Sequence, residues 1–264
     1  MPELAELRLT ADYINQSTKD LEFTDIVKNP VHKGLDLEAP FDTFKISAAS
    51  RGKELMLILE NSSQKKILMM TMGMSGFFKF TTNEEKDKHS HLMFKSNIGI
   101  LSFVDVRRFG KWKWQEGWSE NRGPDPTTEY NSFISNIKDN LDRAAFNHPI
   151  HAALMNQKYF NGIGNYLRAE ILYRLDVNPF ESAREVLNRE PRVFKLCKNI
   201  PLQAYYLGGG QLKDWENPFD EKPDNMYRFI RCYGKSNMNR IKDKNGRMFW
   251  FHPKWNSNLE PVNI

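Results

Sequence analysis

The opening Met1-Pro2-Glu3-Leu4-Ala5-Glu6 concentrates reactive groups at the very start of the chain. Removal of Met1, which a small second residue permits, leaves Pro2 with a secondary amine able to attack an aldehydic carbon. Condensation of a secondary amine gives a cationic iminium outright. That cation draws electrons from the adjacent carbon and so favours elimination there. At a reference α-amino pKa of about 7.7–8.0, a useful share of the amine is unprotonated at neutral pH. Glu3 and Glu6 lie three residues apart and project from one helix face beside the amine, where a desolvated carboxyl can shuttle protons. Lys53, in Arg51-Gly52-Lys53-Glu54, supplies a second amine just ahead of a strand. Each group also has a plain structural reading. A helix start prefers Pro at its first position and Glu in its first turn, isolated acids are surface acids, and a lysine before a strand is ordinarily solvated.

The elements that must position these groups fall into two textures. Leu4, Leu7, Ala11 and Ile14 recur at three- and four-residue spacing among charged residues, which predicts an amphipathic helix. Short apolar runs follow at Lys45–Ser47, Leu55–Glu60, Ile67–Met72, Gly76–Phe80, His91–Phe94, Ile98–Val104 and Lys111–Trp114, broken by Asn, Ser, Gly and Lys. They read as strands of a sandwich. Asn121-Arg122-Gly123-Pro124-Asp125-Pro126-Thr127-Thr128 combines turn formers with prolines and marks the domain boundary. Beyond it Phe133–Leu141 and Ile150–Asn156 fit helices. Gly162-Ile163-Gly164-Asn165 then makes a tight turn before the stripe Leu167, Ile171, Leu172, Leu175. Arg240–Lys242 and Arg247–Phe251 flank Asn245-Gly246 as a hairpin. Gly208-Gly209-Gly210 and Trp215–Asn225 read as a mobile loop.

Composition narrows the function classes. The chain has 264 residues, enough for two domains, with a hydrophobic fraction of 40% and a charged fraction of 27%, which exclude disorder and fibrous repeats. The longest apolar run, Ile67–Met74, is broken by Gly73 and ends at Ser75 and Gly76, short of the ~18 residues of a membrane span. Acids stand where a signal peptide needs basic residues, so an intracellular location is expected, nucleus or cytoplasm unresolved. Cys197 and Cys232 are too few for a disulfide scaffold or a four-cysteine zinc site, and no metal is expected. The formal net charge is +5, and the tail concentrates it. Between Arg231 and Lys254 stand seven basic residues against the single acid Asp243, the pattern of a phosphate-facing surface.

Taken together, the motifs resemble the Fpg/Nei family of DNA glycosylases, formamidopyrimidine-DNA glycosylase and endonuclease VIII. The resemblance runs nearly end to end. It rests on Pro2-Glu3 with Glu6, Arg51-Gly52-Lys53, Met72-Gly73-Met74-Ser75-Gly76, Phe103–Gly110 with its Arg107-Arg108-Phe109-Gly110, and Asn156–Leu167. Arg231-Cys232-Tyr233-Gly234 and Gly246–Phe251 complete it in the tail. The long Phe160–Pro179 run and the zinc-free tail look most like the endonuclease VIII-like branch whose finger is a hairpin without metal.

The resemblance implies roles for matching positions. Pro2 would be the nucleophile at C1′ of a damaged nucleotide, Glu3 the proton donor, Lys53 a catalytic lysine assisting β-elimination, and Glu6 would orient the site. Asn165, with Lys158 nearby, would bind backbone phosphate, and the amides opening the following helix suit the same anion. Arg247 at the hairpin tip would hold a phosphate beside the lesion and support δ-elimination. A base cannot be reached inside a duplex without extrusion, and the gap must be filled. Met74, Arg107 and Phe109 match the family's void-filling trio, with Arg107 also a DNA contact. His89 corresponds to a phosphate contact. The plain alternatives are core packing for Met74 and Phe109, an Arg107–Asp105 pair, an ordinary helix connection at Gly162–Asn165 and a solubilising Arg247. Ala5 replaces a proline common in the opening motif, and the lesion-contacting loop, between Leu207 and Asp224, aligns with nothing secure.

The expectation is therefore an α+β, two-domain protein. Residues 1–120 form an N-terminal helix and β-sandwich, 121–130 a linker, 131–230 a helical domain with a helix-two-turn-helix, and 231–264 a zinc-less finger hairpin and tail, with DNA between the domains. The expected activity is excision of oxidised pyrimidines and ring-opened purines followed by β,δ-elimination. No cofactor, metal or membrane is involved. The partner is DNA with an oxidised base or abasic site, as duplex and with single strands left open, and the protein is monomeric. The alternative is a non-catalytic protein that binds damaged DNA.

Overall fold

Leu4, Leu7, Ala11 and Ile14 are all buried and form the inner face of α1 (Leu4–Ser17). The computed structural model describes residues 2–82, 88–210, 217–219 and 226–255. Eight strands follow α1. They are β1 (Phe23–Lys28), β2 (Lys45–Arg51), β3 (Glu54–Glu60), β4 (Lys65–Thr71), β5 (Phe77–Thr81), β6 (Ser90–Ser96), β7 (Ile100–Val104) and β8 (Lys111–Trp114). They make two antiparallel four-stranded sheets, ordered β1-β6-β7-β5 and β2-β3-β4-β8. Leu7, Ala11 and Ile14 of α1 join Leu57 and Leu68 of one sheet and Phe94 and Phe103 of the other in a single core. Each such fully buried side chain contributes about 1.5–3 kcal/mol relative to exposure. Phe23 and Phe44 exchange backbone hydrogen bonds of 2.8 and 2.9 Å and clip the two sheets together.

Helix α1 is fastened to the outer edge of β2 by side chains that act as a strand. The Asn15 amide donates to Ala48 O at 2.9 Å while its Oδ1 accepts the Ala48 N–H at 2.7 Å. Thr18 Oγ1 donates to Ile46 O at 2.8 Å. Helix and strand therefore run in opposite directions. Helical rise from Asn15 back to Glu3 and strand rise from Ala48 on to Lys53 are both roughly 17–18 Å. The helix start and the β2–β3 turn accordingly reach the same level.

The chain divides into two compact units, Met1–Glu120 with Tyr205–Asp224, and Asn121–Ala204 with Asn225–Ile264. The second holds α2 (Tyr130–Lys138), α3 (Ile150–Ala153), α4 (Asn165–Leu175), α5 (Ala183–Arg189) and most of α6 (Arg192–Tyr206). A short α7 (Met226–Phe229) precedes the hairpin of β9 (Asn239–Lys242) and β10 (Met248–Phe251). Two sequence expectations are corrected. The stretch taken as a linker is folded into the second unit: Asp125 is buried and its Oδ1 accepts from the Thr127 N–H and hydroxyl and the Thr128 N–H. Gly123 is bound there to Gln157 and Asn161. The glycine run at 208–210, read as part of a mobile loop in the helical domain, belongs instead to the first unit, where it is bound to α1. Residues 211–216 and 220–224 of the expected lesion-contacting loop lie outside the described residues. Among the described residues no helix is long and apolar enough to cross a membrane.

Candidate functional site

The start of α1 is shaped by its two acids. Glu3 is the N-cap, extended at φ −115° and ψ −166°, and shares a reciprocal capping box with Glu6. The Glu3 side chain accepts the Glu6 N–H, and Glu6 Oε2 accepts the Glu3 N–H at 2.7 Å. The other oxygen, Oε1, accepts the Gly210 N–H at 2.6 Å. Both acids are buried, at 3% and 0% exposure, so the surface-acid reading does not hold. Pro2 lies outside the helix, ahead of the N-cap, so it is not the first-position proline of a helix start.

Lys53 sits at the tip of the β2–β3 hairpin, whose last pair is Arg51 with Glu54. Gly52 takes φ +58° and Lys53 does not leave the negative region, the signature of a turn that needs glycine first. Lys53 is half-buried rather than fully solvated. Its neighbour Glu54 is buried and accepts from Ser119 Oγ, which pins the tip.

Met74, Arg107 and Phe109 come from two loops brought together by Asp105. This carboxylate is wholly buried. Oδ2 accepts the Gly110 N–H at 2.7 Å, and Oδ1 accepts the Arg107 N–H at 3.2 Å and the Ser75 hydroxyl. Ser75 Oγ in turn accepts the Arg107 N–H at 3.2 Å. The core reading does not hold for Phe109. Phe109 is 53% exposed, Met74 is only partly buried, and the Asp105 oxygens hold the backbone of the loop that presents Arg107. The Arg107 guanidinium lies 5.1 Å from the centre of the Phe109 ring. His91 Nε2, 2.9 Å from Asp105 O, braces the same loop from below, and its pKa and that of neighbouring His32 are lowered, chiefly by burial. His89 is half-buried, and its carbonyl accepts the Asp105 N–H at 3.0 Å.

Gly73 makes the close approach of the two loops possible. It takes φ +61°, and a Cβ there would stand 2.7 Å from Gly110 N and 2.8 Å from Phe109 C. Gly73→Ala is therefore expected to cost about 2 kcal/mol or more in denaturant unfolding, because a left-handed conformation and a backbone clash fall on one residue.

In the second unit the tight turn expected before α4 is present. Gly162 takes φ +94°, and Gln157 braces the turn by accepting the Gly162 N–H and donating to Ile163 O. Lys158 is exposed, with its Nζ 5.8 Å from the Tyr159 ring centre. Asn165 opens α4, and its side chain is engaged within the protein. It donates to Met248 O at 2.8 Å and accepts from Arg168 Nη2 at 2.6 Å.

Arg168 is wholly buried and pairs with Asp243 at 2.9 Å. Asp243 Oδ1 also accepts the Asn245 and Arg247 N–H groups, each at 2.9 Å, so it shapes the turn that presents exposed Arg247. From the other side, buried Glu170 accepts the N–H groups of Arg231, Cys232 and Tyr233. Phe249 is fully buried and stacks on His151 at 4.8 Å, while Phe251 meets Phe180 at 5.0 Å. The hairpin aromatics thus pack on the helical unit, and the buried ion pair fastens the same hairpin. Cys232 is a buried thiol whose pKa is pushed up to about 12 by burial, and burial also raises that of Cys197.

Burial also pushes the His151 pKa down to about 4 from the usual 6.5, with Arg168 adding to the effect. The unfolded chain thus takes up this proton near 6.5 and the folded chain only near 4. Stability is complete above pH 6.5 and is lost as pH falls through 4, by about 3 kcal/mol in all. His151→Phe keeps the stack and is expected to flatten the melting temperature over that pH interval.

Sequence reasoning passed over Gly210, Ser75, Arg168, Glu170 and the anchoring role of Asp105 and Asp243. The signals were present. Arg168 and Glu170 interrupt the apolar stripe of α4, and Asp243 is the lone acid in a basic tail.

Comparison with known proteins bears on the same segments. The family model described as formamidopyrimidine-DNA glycosylase N-terminal domain matches residues 1–112, and that described as Endonuclease VIII-like 1, DNA bind, matches residues 226–254. Endonuclease 8-like 1 of Homo sapiens is 37% identical, covering 95% of this chain and 72% of that protein. The Mus musculus protein of the same name gives the same identity and coverage. The crystal structure of MutM (Fpg) from Thermus thermophilus has a TM-score of 0.79 at 24% identity, covering 96% of this chain and 98% of that one. With the opening helix and sandwich and the finger hairpin matched by family models, and relatives 37% identical over 95% of the chain, the chain belongs to the formamidopyrimidine-DNA glycosylase and endonuclease VIII family.

Proposed function

We propose that this protein is a bifunctional DNA glycosylase and abasic-site lyase of base excision repair, acting through an N-terminal proline Schiff base. The observation that carries this reading is the buried capping box of Glu3 and Glu6. It fixes the backbone that begins at Pro2 and leaves carboxyls beside an amine at the level of the Lys53 turn.

The Pro2 nitrogen forms a bond to C1′ as the glycosidic bond breaks and its electron pair leaves with the base. Glu3 supplies a proton to the opening sugar. The resulting iminium acidifies the neighbouring C2′–H, and its loss expels the 3′ phosphate in β-elimination, assisted by Lys53. A second elimination expels the 5′ phosphate, and water then frees the amine. Arg247 holds a backbone phosphate through this sequence, with Asn165, Lys158 and His89 as further phosphate contacts. For Asn165 the amides opening α4 are the better donors, since its side chain already serves the hairpin.

Met74 and Phe109 enter the stack vacated by the extruded nucleotide, and Arg107 bonds the orphaned base. The 53% exposure of Phe109 on a braced loop supports this assignment. The trio presupposes duplex DNA bound by one copy of the chain. Lesions in single strands are then processed without its help.

The test is borohydride reduction with abasic duplex, followed by peptide mapping, and excision from duplexes carrying single defined oxidised bases. Covalent attachment at Pro2 and product ends of β,δ-elimination are expected. Tight binding without attachment or excision would identify a passive binder of damaged DNA instead.

A further inference from the structure

The last turn of α6 and the segment that follows it are strapped to α1 at Asp12, Arg8 and Glu6. The Tyr205 hydroxyl donates to Asp12 Oδ2 at 2.7 Å, and the Arg8 guanidinium lies 4.3 Å over the Tyr205 ring. Arg8 and Asp12 are one helical turn apart, so they present a single seat for this ring. Five residues on, the Gly210 N–H reaches Glu6 Oε1 at 2.6 Å. The chain between takes positive φ at Gly208 and Gly209, and Gly208 O accepts from Asn217 at 3.1 Å. Phe219 then meets Tyr13 edge to face at 5.5 Å.

The two oxygens of Glu6 thus face two segments. One holds the strap, and the other holds the Glu3 N–H next to Pro2. Short hydrogen bonds to a carboxylate orient it as well as hold it. A carboxylate that loses the Gly210 donor loses one of the bonds that set its orientation against the Glu3 N–H. The hydrogen bond to Asp12 also raises the Tyr205 pKa above the usual phenol value.

We propose that Tyr205 and Asp12 form a latch that positions the reaction centre: by seating the strap they keep Gly210 on Glu6, and through Glu6 they fix the orientation of the N-terminal amine. The inference rests on the proposed role of Pro2 as nucleophile. It makes Tyr205 a positioning residue that touches neither DNA nor the reacting atoms.

Two variants and two independent readouts test it. Tyr205→Phe removes the hydroxyl and keeps the ring over Arg8, and Asp12→Asn keeps an acceptor for the hydroxyl. Amide hydrogen exchange reports the latch without any reaction. Exchange at Gly210 and Glu3 is expected to quicken about 10-fold in Tyr205→Phe and to stay near wild type in Asp12→Asn. Single-turnover excision and borohydride trapping are expected to slow about 10-fold in Tyr205→Phe, with affinity for an uncleavable abasic analogue within about twofold and the melting temperature little changed. Unaltered exchange in Tyr205→Phe overturns the latch. Faster exchange with unaltered reaction rates overturns its positioning role. Loss of analogue affinity in step with rate makes Tyr205 a binding residue and overturns it as well. Failure of the wild-type protein to trap DNA at all would instead remove Pro2 as nucleophile, while the exchange data alone would still decide whether the strap governs Glu3.

Discussion

A polypeptide that keeps Met1, or carries an acetyl group on Pro2, is expected to form no covalent adduct with abasic DNA and to lose lyase activity by about 10³-fold or more, at least about 4 kcal/mol at the transition state. The reason is electronic. In either form the Pro2 nitrogen is an amide whose lone pair is delocalised into a carbonyl, and it cannot add to C1′. Pro2→Gly leaves a primary amine after Met1 removal and should retain part of the activity. Mass spectrometry of the mature chain beside a trapping gel is the measurement. Undiminished trapping by a blocked chain would move the covalent step to Lys53, the other amine at that level.

Asp243→Ala is expected to release the finger hairpin. Arg168 has no solvent exposure and would lose the Asp243 carboxylate, and the Asn245 and Arg247 N–H groups would lose their acceptor. Removing one partner of a buried pair costs about 3–5 kcal/mol. The loss should appear as rapid amide exchange through β9 and β10 while β2–β4 stay protected. The salt dependence of DNA affinity should fall by about one phosphate contact, as it should for Arg247→Ala, which leaves the hairpin intact. Pairing Asp243→Ala with Arg168→Met removes the stranded charge and should recover part of the stability. If the single variant melts and binds as wild type does, the ion pair does not hold the finger.

Much of this arrangement was legible before any coordinates. Strands with a clean apolar face announced themselves, and β8 has the bounds expected for it. Strand β1 did not, because a bulge between Phe23 and Asp25 puts its buried residues Phe23 and Ile26 three apart and destroys the alternation. Helix α6 was hidden by Pro201, which sits inside it on the buried face with Cys197, Ile200 and Ala204. The opening helix, the glycine turn and the Asn-Gly hairpin were readable because their turn chemistry is local. The clamps were not: Asp105, Glu170 and Asp243 act on backbone N–H groups, which leave no mark on the sequence of the segment they hold. The motif resemblance supplied the family and named residues for the roles. What holds those residues in place came only from the fold.

The amide of Asn15 and the hydroxyl of Thr18 carry a consequence of their own. They occupy hydrogen-bonding positions on a border strand that would otherwise be open to another chain. Shortening the protein from its beginning would therefore uncover a sticky margin as well as delete the amine. Truncated forms should be judged first by whether they stay in solution, and only afterwards by whether they act on DNA.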